Sequence, residues 1–151
     1  MVIRNADQED CESCLKLLYE LWSPAYELDS IRVGRLPPEK LHRIYDCILE
    51  SPNCEIVVAE KEGKVVAMMD LHFRETFFHG GWTLLIEDLI VDEDYRRQGI
   101  GQRMVGLAEE MALKRDCSAV ELSSDLYREG THRFWESMGY DIEAYQLRKT
   151  L

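Results

Sequence analysis

The hydrophobic period changes at residue 53, and that change constrains the fold more than any other feature. Before it, apolar residues recur at helical spacing. Cys14, Leu15, Leu17, Leu18, Leu21 and Trp22 form one stripe; Leu41, Ile44, Tyr45, Ile48 and Leu49 form a second. Acidic residues open the first helix, with Asp7 or a near neighbour as its cap, and Pro24 is expected to end it or to follow its end. "AYELDSIRVGRL" reads as a loop or broken helix, prolines start the second helix, and Pro52 closes it. After Asn53 the pattern turns extended: "CEIVVAEKEGKVVAMMDLHF" is a hairpin turning at Glu62-Gly63. "WTLLIEDLIVD" is a longer, more apolar strand, which suggests a central place in the sheet.

"MVIRNA" adds a first strand, and "FFHGG" a turn before the apolar strand. Beyond Gly99 a helix carries Ile100, Met104, Leu107, Ala108, Met111 and Ala112 on one face. "CSAVELSS" follows as a strand, "REGTHRFWESMGY" as a helix stopped by Gly139, and "DIEAYQLRK" as a last strand. The order β-α-α-β-β-β-α-β-α-β predicts an α/β protein of mixed α+β type, with a central mixed, mostly antiparallel sheet flanked by helices. With 151 residues there is room for one full core, so residues 1–151 are expected to be a single domain.

Charge narrows the function. Twenty-nine acidic against 18 basic residues give a net charge of −11. Such a surface repels phosphate backbones, which argues against nucleic acid and suits a cationic small molecule. No apolar run approaches the roughly 18 residues of a membrane span. "MVIRNADQEDCE" has no signal-peptide core, so the expectation is a cytoplasmic protein without membrane contact. Five scattered cysteines fit a reducing compartment, and the lone Cys11-x-x-Cys14 reads as helix packing, with no metal site expected.

The chemistry concentrates in "VDEDYRRQGIGQRM". A strand ends near Val91 and a helix starts near Gly99, whose first N–H groups have no intrahelical acceptor. Gly99 and Gly101 leave those groups uncovered, the helix dipole adds positive potential, and Arg96 and Arg97 stand immediately upstream. This is an anion site suited to phosphate or pyrophosphate. A P-loop is excluded because Gly106 is followed by Leu107 and the lysine is absent; the dinucleotide fingerprint fails at Met104, where its third glycine belongs.

Arg96-Arg97-Gln98-Gly99-Ile100-Gly101 resembles the Q/R-x-x-G-x-G/A signature of the GNAT family of N-acetyltransferases. "REGTHRFWESMGY" is similar to that family's final helix, and the likeness runs from about Val58 to the C-terminus. The resemblance implies the acyl-CoA N-acyltransferase fold and acetyl-CoA (coenzyme A) as acyl-donor cosubstrate. The N–H groups from Arg97 to Gly101 would then hold the pyrophosphate, and Leu89, Ile90 and Val91 would pair with the pantetheine arm. Arg96 and Gln98 complete the signature. Trp135, in the family's aromatic pair Phe134-Trp135, would pack beside the cofactor.

An amine acceptor must lose a proton before it attacks. Glu87 and Asp88 are the candidate bases, with His79 and His72 behind them. The family often places a tyrosine near the coenzyme sulfur as the acid, but here Trp135 stands there and an indole N–H is no ordinary acid. Tyr140 and Tyr127 are the nearby substitutes. The expected function is transfer of an acetyl group to a primary amine of a small molecule, ahead of a protein amino group. Two alternatives are a coenzyme A-binding regulatory or sensor module that has lost catalysis, and an interaction domain without cofactor. Dimers are common among such proteins, but no residue here by itself indicates one.

Overall fold

The computed structural model describes residues 1–27, 37–124, 128–144, 146, 147 and 149; at 23–27 and 129 it describes the backbone alone. Two compact units result, Met1–Glu121 and Leu122–Leu151.

The first unit is built on a sheet of strand order β1-β2-β3-β4-β5. The strands are β1 (Val2–Asn5), β2 (Cys54–Lys61), β3 (Lys64–Thr76), β4 (Gly81–Val91) and β5 (Val120–Leu122). The first four pair antiparallel in succession. β5 joins β4 through Ser118 N–H to Trp82 O and Leu84 N–H to Ala119 O, at 2.9 and 3.0 Å. Numbering rises together along those two bonds, so this pairing is parallel and the sheet is mixed. The hairpin turn is where the sequence places it: Glu62 and Gly63 have φ of 55° and 75°, the positive pair that a two-residue turn requires.

Helices cover both faces. α1 (Cys11–Glu27) and α2 (Pro38–Glu50) bury Cys14, Leu15, Leu17, Leu41 and Tyr45 against Ile56, Val58, Met68 and Ile90. α3 (Ile100–Lys114) supplies Ile100, Met104, Val105, Ala108 and Ala112 to the core. Cys11 and Cys14 are both buried, as helix packing predicts, and burial pushes the Cys14 thiol up to about 12. A short 3-10 turn, Gln8–Asp10, precedes α1 and is closed by a capping box between Asp7 and Asp10. Asp10 also takes two bonds from the Arg4 guanidinium, 2.6 and 3.0 Å, tying β1 to the helix entrance.

Four expectations change. The α1 backbone runs past Pro24 to Glu27, because a proline removes one N–H donor without ending the neighbouring bonds. The remainder of the proposed loop, 28–36, lies outside the described residues. β3, at 13 residues against 11 in β4, is the longest strand and the middle of the sheet. β4 is interior, but one place off centre. "CSAVELSS" contributes only Val120–Leu122. "DIEAYQLRK" forms no strand among its described residues: Ile142 and Leu147 are 82% and 93% exposed, so the alternation there buries nothing.

In the second unit α4 (Glu129–Ser137) ends at Met138, and Gly139 takes φ 86°. Trp135 is buried and stacks edge-on against Phe134 and Tyr140, at 5.0 and 5.1 Å between ring centres. The Tyr140 N–H donates to Trp135 O at 3.1 Å, which fixes the tyrosine's backbone to the last helical turn.

Candidate active site

β4 carries two features, a turn at its end and a bulge at its middle. The turn begins at Asp92, whose N–H donates to Val66 O at 2.9 Å and whose carboxylate accepts from Asp94 N–H at 3.0 Å. Burial alone would raise the Asp92 carboxyl. The Lys64 ammonium, 3.1 Å away, and the Asp94 N–H outweigh it, leaving the group below the usual carboxylate range. Glu93–Tyr95 then form one 3-10 turn. Arg96 folds back so that its Nε donates to Val91 O at 2.8 Å, closing the loop onto the end of the strand.

The next residues expose backbone donors. Arg97 has φ 61° and Gly99 φ 77°, two left-handed residues separated by Gln98. Alternation of this kind curves successive N–H groups into a concave anion nest. α3 follows directly, and no side chain caps its N-terminus. Arg97 and Gln98 are exposed, and Gln98 is held by Lys61 Nζ at 3.2 Å and by its own bond to Asp94 O at 3.3 Å. A left-handed arginine costs roughly 1–2 kcal/mol. The sequence gives no sign of that strain.

The bulge is visible in the register. Asp70 faces Asp88 and Leu71 faces Ile86, which leaves Glu87 as the extra residue of β4. Such a residue drops out of the ladder and re-aims its side chain. Glu87 is exposed, whereas Asp88, Leu89 and Val91 are half-buried and Ile90 packs into the core. Leu89, Ile90 and Val91 spend one edge on Met69, Met68 and Ala67 of β3. β5, three residues long and joined at Trp82 and Leu84, cannot pair along all eleven residues of β4.

Glu87 and Asp88 therefore do not simply alternate across a regular strand. Asp88 shares a face with Met68 and Ile90, the face under α1 and α2, and accepts from Trp22 Nε1 at 3.4 Å. Opposite it lies Asp70, which is not among the residues the sequence marks as candidates. An acidic residue inside the apolar run "VVAMMDLHF" was the available signal, because a carboxylate in a buried strand needs a reason. His72 Nε2 stands 3.0 Å from Asp70 Oδ1, and its Nδ1 is 3.3 Å from Cys54 Sγ. The contact with Asp70 raises the His72 imidazolium above its ordinary value, against the pull of burial. His79 instead lies at the β3–β4 turn, paired with Glu121 at 3.3 Å, away from the bulge. Trp135 and Tyr140 belong to the second unit, and Tyr127 lies outside the described residues.

Known proteins resemble this chain in sequence and fold. The profile of the Acetyltransferase (GNAT) family matches residues 15–140. The aminoalkylphosphonate N-acetyltransferase of Salmonella typhimurium is 30% identical over 99% of this chain and 90% of its own. The thialysine N-epsilon-acetyltransferase of Bos taurus is 31% identical over 82% of this chain and 74% of its own. Among solved structures, a protein from Bacillus halodurans C-125 described as a transcriptional regulator superposes with a TM-score of 0.86, at 26% identity and 99% coverage of both chains. A β4 strand that ends in an uncapped, glycine-lined helix entrance, carried on this sheet and matched by this profile, makes the chain an acetyltransferase of the GNAT family.

Proposed function

We propose that residues 1–151 act as one N-acetyltransferase domain that moves an acetyl group from acetyl-CoA to the primary amine of a small molecule. The observation that carries this reading is the α3 entrance. Its N–H groups have no side-chain cap, they follow two left-handed residues, and Arg97 adds charge beside them. Those groups suit a pyrophosphate, which would be held by the backbone from Arg97 to Gly101. Arg96 and Gln98 brace the turn, Ile100 anchors the helix in the core, and Leu89, Ile90 and Val91 offer strand backbone to a pantetheine arm. When bound, the cofactor supplies a thioester carbonyl as the acyl donor.

The chain's own residues do the rest. A free alkyl amine is protonated at neutral pH, with a pKa of about 10.4. The ammonium would first give one proton to solvent; Glu87, turned out of the ladder by the bulge, would take the second as the neutral nitrogen attacks the carbonyl carbon. The C–S bond breaks as the C–N bond forms, and the sulfur leaves as a thiol with a proton from solvent. Backbone N–H groups freed at the bulge are donors for the carbonyl oxygen. The names of the Salmonella and Bos taurus relatives both specify small amines, which supports a small-molecule acceptor. The net charge of −11 supports a cationic one.

A second reading is a coenzyme A-binding regulatory module. Trp135 at the position where the family often has its tyrosine favours it, as does the description of the Bacillus halodurans neighbour. One experiment separates the two. Thiol release from acetyl-CoA is measured across polyamines, aminoglycosides, aminoalkylphosphonates, amino acids and peptides, beside thermal stabilisation by coenzyme A. Saturable release with a small amine supports the enzyme; stabilisation without release from any amine supports the module. A folded Gly101→Val variant with unchanged coenzyme A affinity would remove the proposed donor site.

A further inference from the structure

The bulge brings together a set of charges that the transfer reading leaves unused. Asp70 and Asp88 are directly opposed on neighbouring antiparallel strands, on the face covered by α1 and α2. Side chains opposed in this way have Cβ atoms about 4.5–5.5 Å apart, and two like charges there repel. The pair is also desolvated on one side, since the Asp70 side chain is 10% exposed. Its Oδ1 is buried, and its partner is His72, whose Nε2 stands 3.0 Å away and pairs with it as an ion when the imidazole is protonated. With the imidazole neutral, that buried carboxylate is short of a donor. Trp22, bonded to Asp88 through Nε1, sets an indole beside the carboxylates.

We propose that Asp70 and Asp88 form a seat for the ammonium group of the acceptor, with His72 as the counter-ion that the ammonium displaces. An ammonium has three donors in a compact head, and two carboxylates on directly opposed residues can both accept from it. The indole adds an aromatic wall of the kind that favours cations. Glu87 immediately precedes Asp88 in β4 and acts electrostatically on His72, which puts the proposed base next to the seat. This inference rests on the acetyl-transfer reading for its substrate but not for its chemistry, because a carboxylate pair binds an ammonium whether or not transfer follows.

His72 makes the seat sensitive to pH. The groups around it are Cys54 from β2, Asp70 and Arg74 from β3, and Glu87 from β4. Asp70 and Glu87 favour its charged form; Arg74 and burial oppose it. While His72 is protonated, it neutralises Asp70 and competes with the substrate. Once it is neutral, Asp70 is left for the incoming ammonium. Amine affinity is therefore expected to rise with pH through the His72 pKa, above 6.5, until the amine itself loses its charge.

The test uses the full chain and two readouts. In the first, the His72 ring resonances are titrated with methylammonium chloride against potassium chloride at equal ionic strength. Saturable shifts with methylammonium alone are expected in the wild type and should vanish in Asp70→Asn and Asp88→Asn. In the second, Asp70→Asn should raise the KM of a turned-over amine about tenfold to hundredfold, the loss of one charged hydrogen bond, with coenzyme A affinity unchanged. His72→Gln should abolish the fall of KM with rising pH. If Asp70→Asn does not fold, Asp88→Asn carries the same comparison. Equal responses to methylammonium and potassium, or an amine KM within twofold of wild type in Asp70→Asn, overturn the seat. Saturable methylammonium binding without thiol release from any amine would keep the seat and overturn the transfer reading instead.

Discussion

The two working regions of β4 are built from different materials. Its end, the proposed donor site, offers backbone: Arg97 and Gly99 in left-handed conformations and a helix N-terminus without a side-chain cap. Its middle, the proposed acceptor site, offers side chains: Glu87 out of the ladder, Asp88 against Asp70, His72 alongside. A backbone site depends on φ and is broken by any residue that cannot adopt it. A side-chain site depends on charge and survives isosteric change in shape but not in protonation. Substitutions at the first should alter donor affinity, and substitutions at the second acceptor kinetics.

Gly99→Val gives the hardest test of that separation. A β-branched residue at φ 77° is strained by about 1–3 kcal/mol, and the turn must open to relieve it. Coenzyme A affinity measured by calorimetry should fall about a hundredfold, whereas steady-state KM for the amine should stay within twofold at saturating donor. A matching fall in both would erase the distinction between the regions. Glu87→Gln should do the reverse, lowering kcat by about 10²–10⁴ with coenzyme A affinity unchanged. Retained kcat would move the base elsewhere.

Asp10→Asn lies in neither region and serves as the control. It removes the ion pair with Arg4 and weakens the bond that Asp7 N–H donates, so stability in urea should drop by about 2 kcal/mol with both affinities unchanged. Arg4 and that N–H hold the Asp10 carboxyl below its ordinary value, against burial. Its contribution is therefore present above the unfolded-state pKa near 3.8 and is lost as pH falls through the lowered folded value. Urea midpoints from pH 6 down to pH 2 should converge for wild type and variant. Arg97→Gly has the smallest expected effect. Relief of the left-handed strain should raise stability by about 1 kcal/mol, while loss of the charge weakens coenzyme A binding only a few-fold at low salt.

The turn into α3 was legible because its signal is local. Two glycines two residues apart, after a strand and before an amphipathic helix, are contiguous in the chain. So were the hairpin at Glu62-Gly63 and the prolines that open α2. The misreadings have a common source in context. Pro24 reads as a stop, yet the α1 backbone continues to Glu27. "DIEAYQLRK" alternates like a strand, but alternation makes a strand only where a neighbour buries one face, and Ile142 and Leu147 remain exposed.

Asp70 is the clearest case of what lay beyond the sequence. It and Asp88 are separated by a turn and about half of each strand, and a one-residue change in pairing would turn either to the other face. The sequence by itself determined the order of elements down to α4, the glycine-lined helix entrance and the acidic pair at Glu87-Asp88, because period, turn chemistry and helix-end chemistry are properties of neighbouring residues. Only the tertiary structure decided where β4 bulges, which carboxylate stands against Asp70, and that Arg97 would be left-handed. Cross-strand register sets the first two and loop closure between Val91 and α3 sets the third; both arise from contacts between segments that the linear order keeps apart.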